Sequence, residues 1–455
     1  MKIFFAALLS LAGASSALAA SATDTQLQAL DERIRALETE GAKLREQAAA
    51  ALAAADAARA ELDKMKASLQ ATQQAQASAA VAAPVQASGA SGGGANGNAF
   101  NPAIAVILNG EYAHHSLNPD RYVRAGFPLV EGAGPDPQGL SLGESEISFA
   151  ANVDDKFYGQ LTLSYHDDNG QTGTEIEEAY IDTLALPDGF NVRAGRFFSN
   201  IGYLDSHHTH TDNFVDRPLA YQAFLGNQYG DDGAQLRWVA PLDFFLELGG
   251  EAFRGENYPS GGANHSGVGA HTLFAHAGGD VGTENSWLAG VSMLKSKTTQ
   301  ADDGFSGDNT LYVADATWKW APHGNTKDGG VTVRSEYFYD QRDGSYAPLP
   351  PPGDNIVPIT LWRGDRRGAY LEGVWRLNRI WDIGYRYDKL WAASSGPFAS
   401  DFDPTRHSVE LTWRNSEFSF FRLQLSHDEP APKLTDNTLS LQYDVSLGAH
   451  GAHKF

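Results

Sequence analysis

The chain has 455 residues, no cysteine and a formal net charge of −22 at pH 7. Such an acidic chain repels nucleic acid, and without cysteine it forms neither a disulfide nor a thiolate-ligated metal site. Mean hydropathy is −0.35, and no apolar run reaches the ~18 residues of a transmembrane helix. Insertion into a membrane would therefore require a β-barrel.

Residues 1–19 have the pattern of a secretory signal peptide. Lys2 supplies the positive charge, residues 3–11 form a short apolar segment, and Ala17-Leu18-Ala19 fits an A-x-A cleavage site. We therefore predict that the mature chain is exported.

Residues 24–76 predict an α-helical coiled coil. With Leu27 at position a, apolar or small residues occupy the a and d positions over about seven heptads. A single Ala-rich helix is the alternative, since Gly41 and several alanines weaken the centre of the pattern. We favour a self-associating, trimeric stalk, followed over 77–98 by a flexible linker of small residues.

Residues 99–455 predict an all-β fold, a transmembrane antiparallel up-and-down β-barrel of about 16 strands. Apolar and polar residues alternate in these segments, as Leu411 and Trp413 do with Glu410 and Thr412. The predicted strands are 101–114, 140–153, 156–167, 174–186, 190–199, 232–240, 243–254, 268–278, 285–296, 310–320, 329–341, 366–377, 380–390, 405–415, 417–428 and 437–455.

The lengths of the connections give an independent test of this assignment. Short turns alternate with longer loops, as up-and-down barrels have between their periplasmic and extracellular ends. The short turns are 154–155, 187–189, 241–242, 378–379 and 415–416. The longer loops include 115–139, 200–231, 255–267, 342–365 and 391–404. Both ends of the barrel domain, and with them the coiled coil, would then lie in the periplasm.

The last predicted strand ends on an aromatic residue, Phe455. This ending resembles the C-terminal strand of Gram-negative outer-membrane proteins, and the resemblance implies that the barrel assembly machinery reads Phe455. A soluble edge strand is the alternative for this segment taken alone.

The layout and several short motifs resemble the phosphate-selective-porin-like group of outer-membrane channels, some of which are labelled zinc-regulated or TonB-dependent receptors. The motifs are residues 191–198 with 200–203, 100–102 and 177–180. The resemblance implies a homotrimeric, water-filled channel in the outer-membrane lipid, with its third loop folded inward. The barrel is acidic, and only Arg193, Arg196, Arg217 and Arg237 are basic near the expected constriction, which argues against phosphate selectivity.

The third long loop is rich in histidine and aspartate. His207, His208 and His210 lie among Asp205, Asp212 and Asp216. Imidazole and carboxylate groups suit Zn, Ni or Cu, and in an extended loop His208 and His210 would project to one side. A transient Zn²⁺ or other divalent cation held by His207, His208 and His210 is therefore one expectation, with no other cofactor. The alternative is a polar constriction held by hydrogen bonds.

Strand parity places Glu144, Glu146 and Glu178 toward the lumen. They would form an acidic ring that sets cation preference, or would pair with Arg193 and Arg196 across the lumen. The acidic residues of the barrel domain would otherwise lie on external loops. The predicted constriction thus comprises Arg193, Arg196, Asp205, Asp212, Asp216, Glu144, Glu146 and Glu178.

We predict passive diffusion of small solutes through a channel that prefers cations or divalent metal ions. One alternative is an envelope tether, whose coiled coil binds peptidoglycan or a periplasmic partner and whose barrel is an anchor. Another is an outer-membrane receptor for metal uptake. We expect no enzymatic activity, because Ser206 and His207 are adjacent without forming a triad and no H-E-x-x-H motif occurs.

Overall fold

The computed structural model describes residues 102–130, 132–168, 171–261, 267–298, 303–347 and 359–448. The predicted signal peptide (1–19), coiled coil (24–76) and linker (77–98) lie outside these residues, as does Phe455. Within the described ranges, no helix has the length and apolar character needed to cross a bilayer.

All the strands in the described ranges belong to one antiparallel sheet. β2 and β3 both pair with β1, on either side of a break at Gly143 and Glu144, and so act as one interrupted strand. β17 also pairs with β1, which closes the sheet. The result confirms the prediction of an antiparallel barrel with 16 strands around its circumference.

The strands are β1 (Ala103–His115), β2 (Gly139–Leu142), β3 (Ser145–Asn152), β4 (Phe157–Asp168), β5 (Gln171–Thr183), β6 (Phe190–Phe198), β7 (Gly230–Val239), β8 (Phe245–Phe253), β9 (Ala270–Val281), β10 (Asn285–Thr298), β11 (Phe305–Trp320), β12 (Gly330–Tyr346), β13 (Thr360–Arg376), β14 (Trp381–Trp391), β15 (Thr405–Ser416), β16 (Ser419–Ala431) and β17 (Leu434–Gly448). A helix, α1 (Leu219–Leu225), lies between β6 and β7. Short 3-10 turns are Pro119–Arg121, Pro187–Gly189, Thr209–Thr211, Pro322–Gly324 and Thr326–Asp328.

Burial around the barrel is the reverse of that in a water-soluble protein. In β13, Leu371 and Trp375 are 52% and 56% exposed, whereas Tyr370 and Glu372 are 2% and 3% exposed. The same alternation recurs in other strands, so the outside is largely apolar and the inside polar and charged. Charged residues are normally the most exposed class, and this arrangement therefore requires an apolar medium around the barrel.

The long connection between β6 and β7, residues 199–229, folds into the barrel and contributes ten of the 21 buried residues in the main apolar cluster of the described ranges. Its α1 helix packs against β12, β13 and β14, where Phe224 joins Phe338 and Leu390 in a buried apolar cluster. Pro218 precedes the helix, and Gly226 ends it with a φ of 60°, a left-handed conformation that glycine adopts without strain. The core thus lies between this loop and the barrel wall.

Candidate functional site

The loop 199–229 is tied to the far wall of the barrel by hydrogen bonds from its backbone and side chains. The backbone N–H of Tyr203 donates to Oε2 of Glu336 at 2.9 Å, and Nδ2 of Asn213 donates to Oε1 of Glu372 at 2.8 Å. Further acceptors for loop N–H groups on this wall are Asp388 and Gln424. Because the barrel strands hold it at several points, the loop has a fixed path across the lumen.

Asp216 anchors the loop electrostatically. Its Oδ1 accepts from Arg386 Nη2 at 3.0 Å and from Gln424 Nε2 at 2.6 Å, and its Oδ2 pairs with Arg406. Burial acts to raise the pKa of Asp216, but Arg386 and Arg406 outweigh it and bring the pKa down to about 2. Asp216 therefore stays ionised and keeps the loop attached to β14 and β15.

A second set of charged groups lies between the loop and strands β3 and β5. We call it the carboxylate–histidine cluster, and it comprises Glu144, Glu146, Glu177, Glu178, His208 and His210. The strands and the β2–β3 break supply the four carboxylates, and the loop supplies both imidazoles. The six side chains are between 5% and 18% exposed.

His208 lies at the centre of this cluster. Its Nδ1 is 2.9 Å from Oε2 of Glu146 and 3.5 Å from Oε2 of Glu177, while its Nε2 is 3.1 Å from Oε2 of Glu178. Burial alone would lower the pKa of His208, but the surrounding carboxylates raise it well above its ordinary value. The ring thus has a carboxylate at each nitrogen.

His210 and Thr209 fix the position of Glu144. Oε2 of Glu144 accepts hydrogen bonds from Thr209 Oγ1 at 2.6 Å and from the backbone N–H of His210 at 2.7 Å. Nδ1 of His210 lies 3.2 Å from the same oxygen. Burial would lower the pKa of His210, and Glu144 raises it.

A β-bulge explains how adjacent residues of β5 both reach the cluster. Thr162 of β4 pairs with Glu178, but the next residue, Leu163, pairs with Ile176. Glu177 is therefore the extra residue, and its side chain turns inward beside that of Glu178. Strand parity alone assigned Glu178 to the lumen and missed Glu177.

The structure brings five of the predicted site residues together in the carboxylate–histidine cluster. The other predicted site residues lie elsewhere in the loop or in the barrel wall. Glu144, Glu146, Glu178, His208 and His210 meet in the cluster. His207 lies apart: its Nδ1–H donates to the carbonyl of Tyr203 at 2.8 Å, and the two rings stack at 4.6 Å.

The predicted aspartates hold the loop together. Asp205, which is fully buried, accepts from the backbone N–H of Tyr229 at 2.8 Å. Burial raises its pKa well above the ordinary value. Asp212 lies 2.7 Å from Arg217 Nε. Both aspartates therefore stabilise the constriction from within the loop.

The two predicted arginines of β6 face opposite sides of the sheet. Arg193 forms two hydrogen bonds with the inward Asp182, at 2.9 and 2.8 Å. Arg196 instead pairs with Asp232, and these two side chains are 42% and 45% exposed. Positions three apart in a strand have opposite orientation, so the placement of Arg196 in the constriction is corrected to the outer face.

Basic residues near the loop are also more numerous than the sequence indicated. Arg386 and Arg406 hold Asp216, Arg422 Nη2 donates to the carbonyl of Asp212 at 2.8 Å, and Arg334 lies 4.2 Å from the Tyr203 ring centre. The expectation that Arg193, Arg196, Arg217 and Arg237 are the only basic residues there is therefore wrong. The alternation of residues along β12–β16 predicts that these arginines point inward. The sequence around each arginine, however, does not indicate that the loop 199–229 contacts it.

Cavities lie on both sides of the loop. One, of about 350 Å³, is lined by Glu144, Glu177 and Thr209 and extends toward His115 at the end of β1. Another, of about 370 Å³, is lined by His207 and extends toward Asp280 and Ser286, beside the β9–β10 turn. The loop therefore separates two cavities. The first lies toward the end of the barrel that carries the long loops, and the second lies toward the end that carries the short turns.

No protein-family model matches the chain. An uncharacterized protein of Aquifex aeolicus (strain VF5) is 28% identical over 393 residues, which cover 78% of this chain and 80% of that protein. Salmonella typhi OmpF, solved in complex with daunomycin, matches with a TM-score of 0.51 at 11% identity, covering 77% of this chain and 99% of OmpF. The outer membrane channel DcaP of Acinetobacter baumannii has a TM-score of 0.49 at 12% identity, with 76% and 97% covered. The likeness to OmpF supports the fold, a closed β-barrel of the porin type.

Proposed function

We propose that the protein is an outer-membrane porin, a channel through which small solutes diffuse passively and in which the loop 199–229 narrows the lumen. The observation that carries this proposal is the reversed burial of the barrel, exemplified by exposed Leu371 and buried Glu372 in consecutive positions. An apolar outer band suits hydrocarbon, and a polar interior suits water and solutes. The predicted signal peptide supports export to the envelope.

The proposals for the porin group, the oligomeric state and the route of membrane insertion rest on the sequence alone. The short motifs at 177–180 and 191–203 support a place near the phosphate-selective-porin-like group. The heptads over 24–76 support self-association through a periplasmic stalk, and the resemblance to the porin-like group supports three copies as the number. Phe455 supports insertion by the barrel assembly machinery.

We propose that the channel prefers cations. Three of the arginines around the loop are paired with carboxylates: Arg386 contacts Asp216 and Asp388, Arg406 contacts Asp428 at 2.9 Å, and Arg334 lies 3.0 Å from Glu372. They therefore differ from a ladder of unpaired arginines that would attract phosphate. The carboxylate–histidine cluster, by contrast, has four carboxylates for two imidazoles, and an excess of negative charge in a narrow, low-dielectric passage raises the local cation concentration.

The test is single-channel recording of the purified, folded protein in planar bilayers under a salt gradient. We expect stable conductance steps and a reversal potential whose sign shows that cations permeate more readily than anions. A reversal potential on the anion side would overturn the cation preference. No steps from a barrel that still shows the heat-modifiable migration of a folded porin would overturn the channel itself, and would favour the envelope tether or the metal receptor.

A further inference from the structure

The carboxylate–histidine cluster contains a donor set that fits a metal ion. One donor atom each from Glu144, Glu146, His208 and His210 lies within 4.8 Å of all the others. Metal–ligand bonds of about 2.0–2.1 Å in a tetrahedral site place neighbouring donors about 3.3 Å apart. Small side-chain rotations would therefore bring the four atoms around one ion.

Three buried atoms of this cluster that could bind a metal ion make no hydrogen bond. Nδ1 of His208, Oε2 of Glu146 and Oε2 of Glu177 are inaccessible to solvent and make none. Nδ1 of His208 is 2.9 Å from the Glu146 oxygen, yet their orientation does not form a hydrogen bond. Glu146 is only 5% exposed. These buried atoms thus have only ion-pair contacts with one another, and four carboxylates for two imidazoles leave a buried negative charge that a divalent cation would neutralise.

The hydrogen bonds of His208 and Glu144 leave one donor atom of each available, whereas Nδ1 of His210 is hydrogen-bonded to Oε2 of Glu144 at 3.2 Å. Nε2 of His208 faces Glu178 at 3.1 Å, which orients the ring with Nδ1 toward Glu146. A carboxylate on the second nitrogen is the usual support for a metal-ligating histidine. Oε2 of Glu144 is held by Thr209, so that Oε1 lies on the side of His208, 3.8 Å from Nδ1.

We infer that Glu144, Glu146, His208 and His210 bind one divalent transition-metal ion of the Zn²⁺ class between the loop and the barrel wall. This inference deepens the proposed function and rests on it for the role of the ion as a permeating solute. Mixed imidazole and carboxylate donors select Zn²⁺, Ni²⁺ or Cu²⁺ over Mg²⁺ and Ca²⁺, which prefer all-oxygen sites. Glu144 also lines the 350 Å³ cavity, which gives the ion a route to the site.

The experiment is isothermal titration calorimetry of the folded, detergent-solubilised protein with ZnCl₂, and with MgCl₂ for comparison. We expect one Zn²⁺ per barrel and no heat from Mg²⁺. His208→Ala and the near-isosteric Glu146→Gln should each weaken Zn²⁺ binding at least tenfold. His207→Ala is the matched control, since this neighbouring imidazole lies outside the cluster, and it should bind as the wild type does.

Heat-modifiable migration establishes that each variant is folded, and Glu146→Gln keeps the test decisive if His208→Ala does not assemble. Absence of Zn²⁺ binding, or equal losses in His207→Ala and His208→Ala, would overturn the site. Bilayer recording of the same samples separates the two proposals. Conductance steps without Zn²⁺ binding would refute only the metal site, whereas Zn²⁺ binding without steps would refute the channel and the role of the ion as its solute.

Discussion

Glu177 and Glu178 are consecutive residues of β5, yet both carboxylates reach the ring of His208, at 3.5 Å from Nδ1 and 3.1 Å from Nε2. In a regular strand, neighbouring side chains point to opposite faces. The bulge between β4 and β5 removes that restriction at this position. It concentrates negative charge where the loop meets the wall.

Neutralising a carboxylate of the cluster should reduce cation selectivity. A unit charge about 6 Å from a permeating ion in water contributes roughly 0.7 kcal/mol, or about threefold in relative permeability at low salt. We expect Glu178→Gln to lower cation permeability by about that factor and to raise anion permeability similarly, so that the cation-to-anion permeability ratio falls about tenfold. Reversal potentials in dilute salt measure it. Asp232→Asn, on the outer face, is the control, and an equal change in both variants would contradict the assignment.

The attachment of the loop through Asp216 should depend on pH only in acid. Its pKa is about 2 in the folded protein, against an ordinary value near 3.9. A lowered pKa means that the stabilisation is complete above about pH 4 and is lost as the pH falls through 2. We expect Asp216→Asn to lower the free energy of unfolding by about 2 kcal/mol at neutral pH, with the difference from wild type disappearing near pH 2.

Denaturant titrations at several pH values measure this difference. Asp155→Asn, in the exposed β3–β4 turn, serves as the control and should follow the wild type throughout. A constant difference between Asp216→Asn and the wild type from pH 7 to pH 2 would contradict the role of the ionised carboxylate.

Gly202 should be needed for the loop to contact β12. Its φ is 66°, and a Cβ there would overlap Oε2 of Glu336 and lie 2.8 Å from Oη of Tyr221. We expect Gly202→Ala to cost about 1–3 kcal/mol and to raise single-channel conductance as the loop leaves the wall. Gly373→Ala is the matched control, because a Cβ at Gly373 has no neighbour within 4 Å. Unchanged conductance in Gly202→Ala would show that the loop does not limit the passage.

The two arginines of β6 should differ in their effect on stability. Arg193 is buried against Asp182 and lies 3.8 Å from the Tyr180 ring centre. Its replacement by alanine leaves a buried carboxylate unpaired, which typically costs 3–5 kcal/mol. Arg196→Ala removes a solvent-exposed pair worth about 0–1 kcal/mol. Denaturant unfolding of the two variants measures the difference, and similar losses would refute their placement on opposite faces.

The barrel itself could be predicted from the sequence because a period of two is a local signal. All sixteen predicted strands correspond to strands of the barrel, with the second divided into β2 and β3 at Gly143 and Glu144. Parity also assigned Glu146 and Glu178 to the lumen, and the length of the connection placed His208 in a long loop, although the contact between them was not predicted. These inferences need only the alternation of residues and the length of a connection.

The features that the sequence did not predict depend on contacts between residues that are far apart in the chain or on irregular backbone pairing. Glu177 joins the cluster because of a bulge, which no residue pattern in β5 announces. The contact of Arg386 with Asp216 joins residues 170 positions apart. The α1 helix escaped detection because all seven of its residues are buried, so it shows no polar face and no helical period.

The pairing of β1 with β17 runs from Ala105 opposite Gly448 to His115 opposite Thr438. The first strand therefore obtains one of its two neighbours only when the last strand has been made. Until then the growing sheet has two unsatisfied edges, which in water invite aggregation. The barrel is therefore closed only when the first and last strands are both present, and the open edges of any partial sheet would need protection from water until β1 and β17 pair.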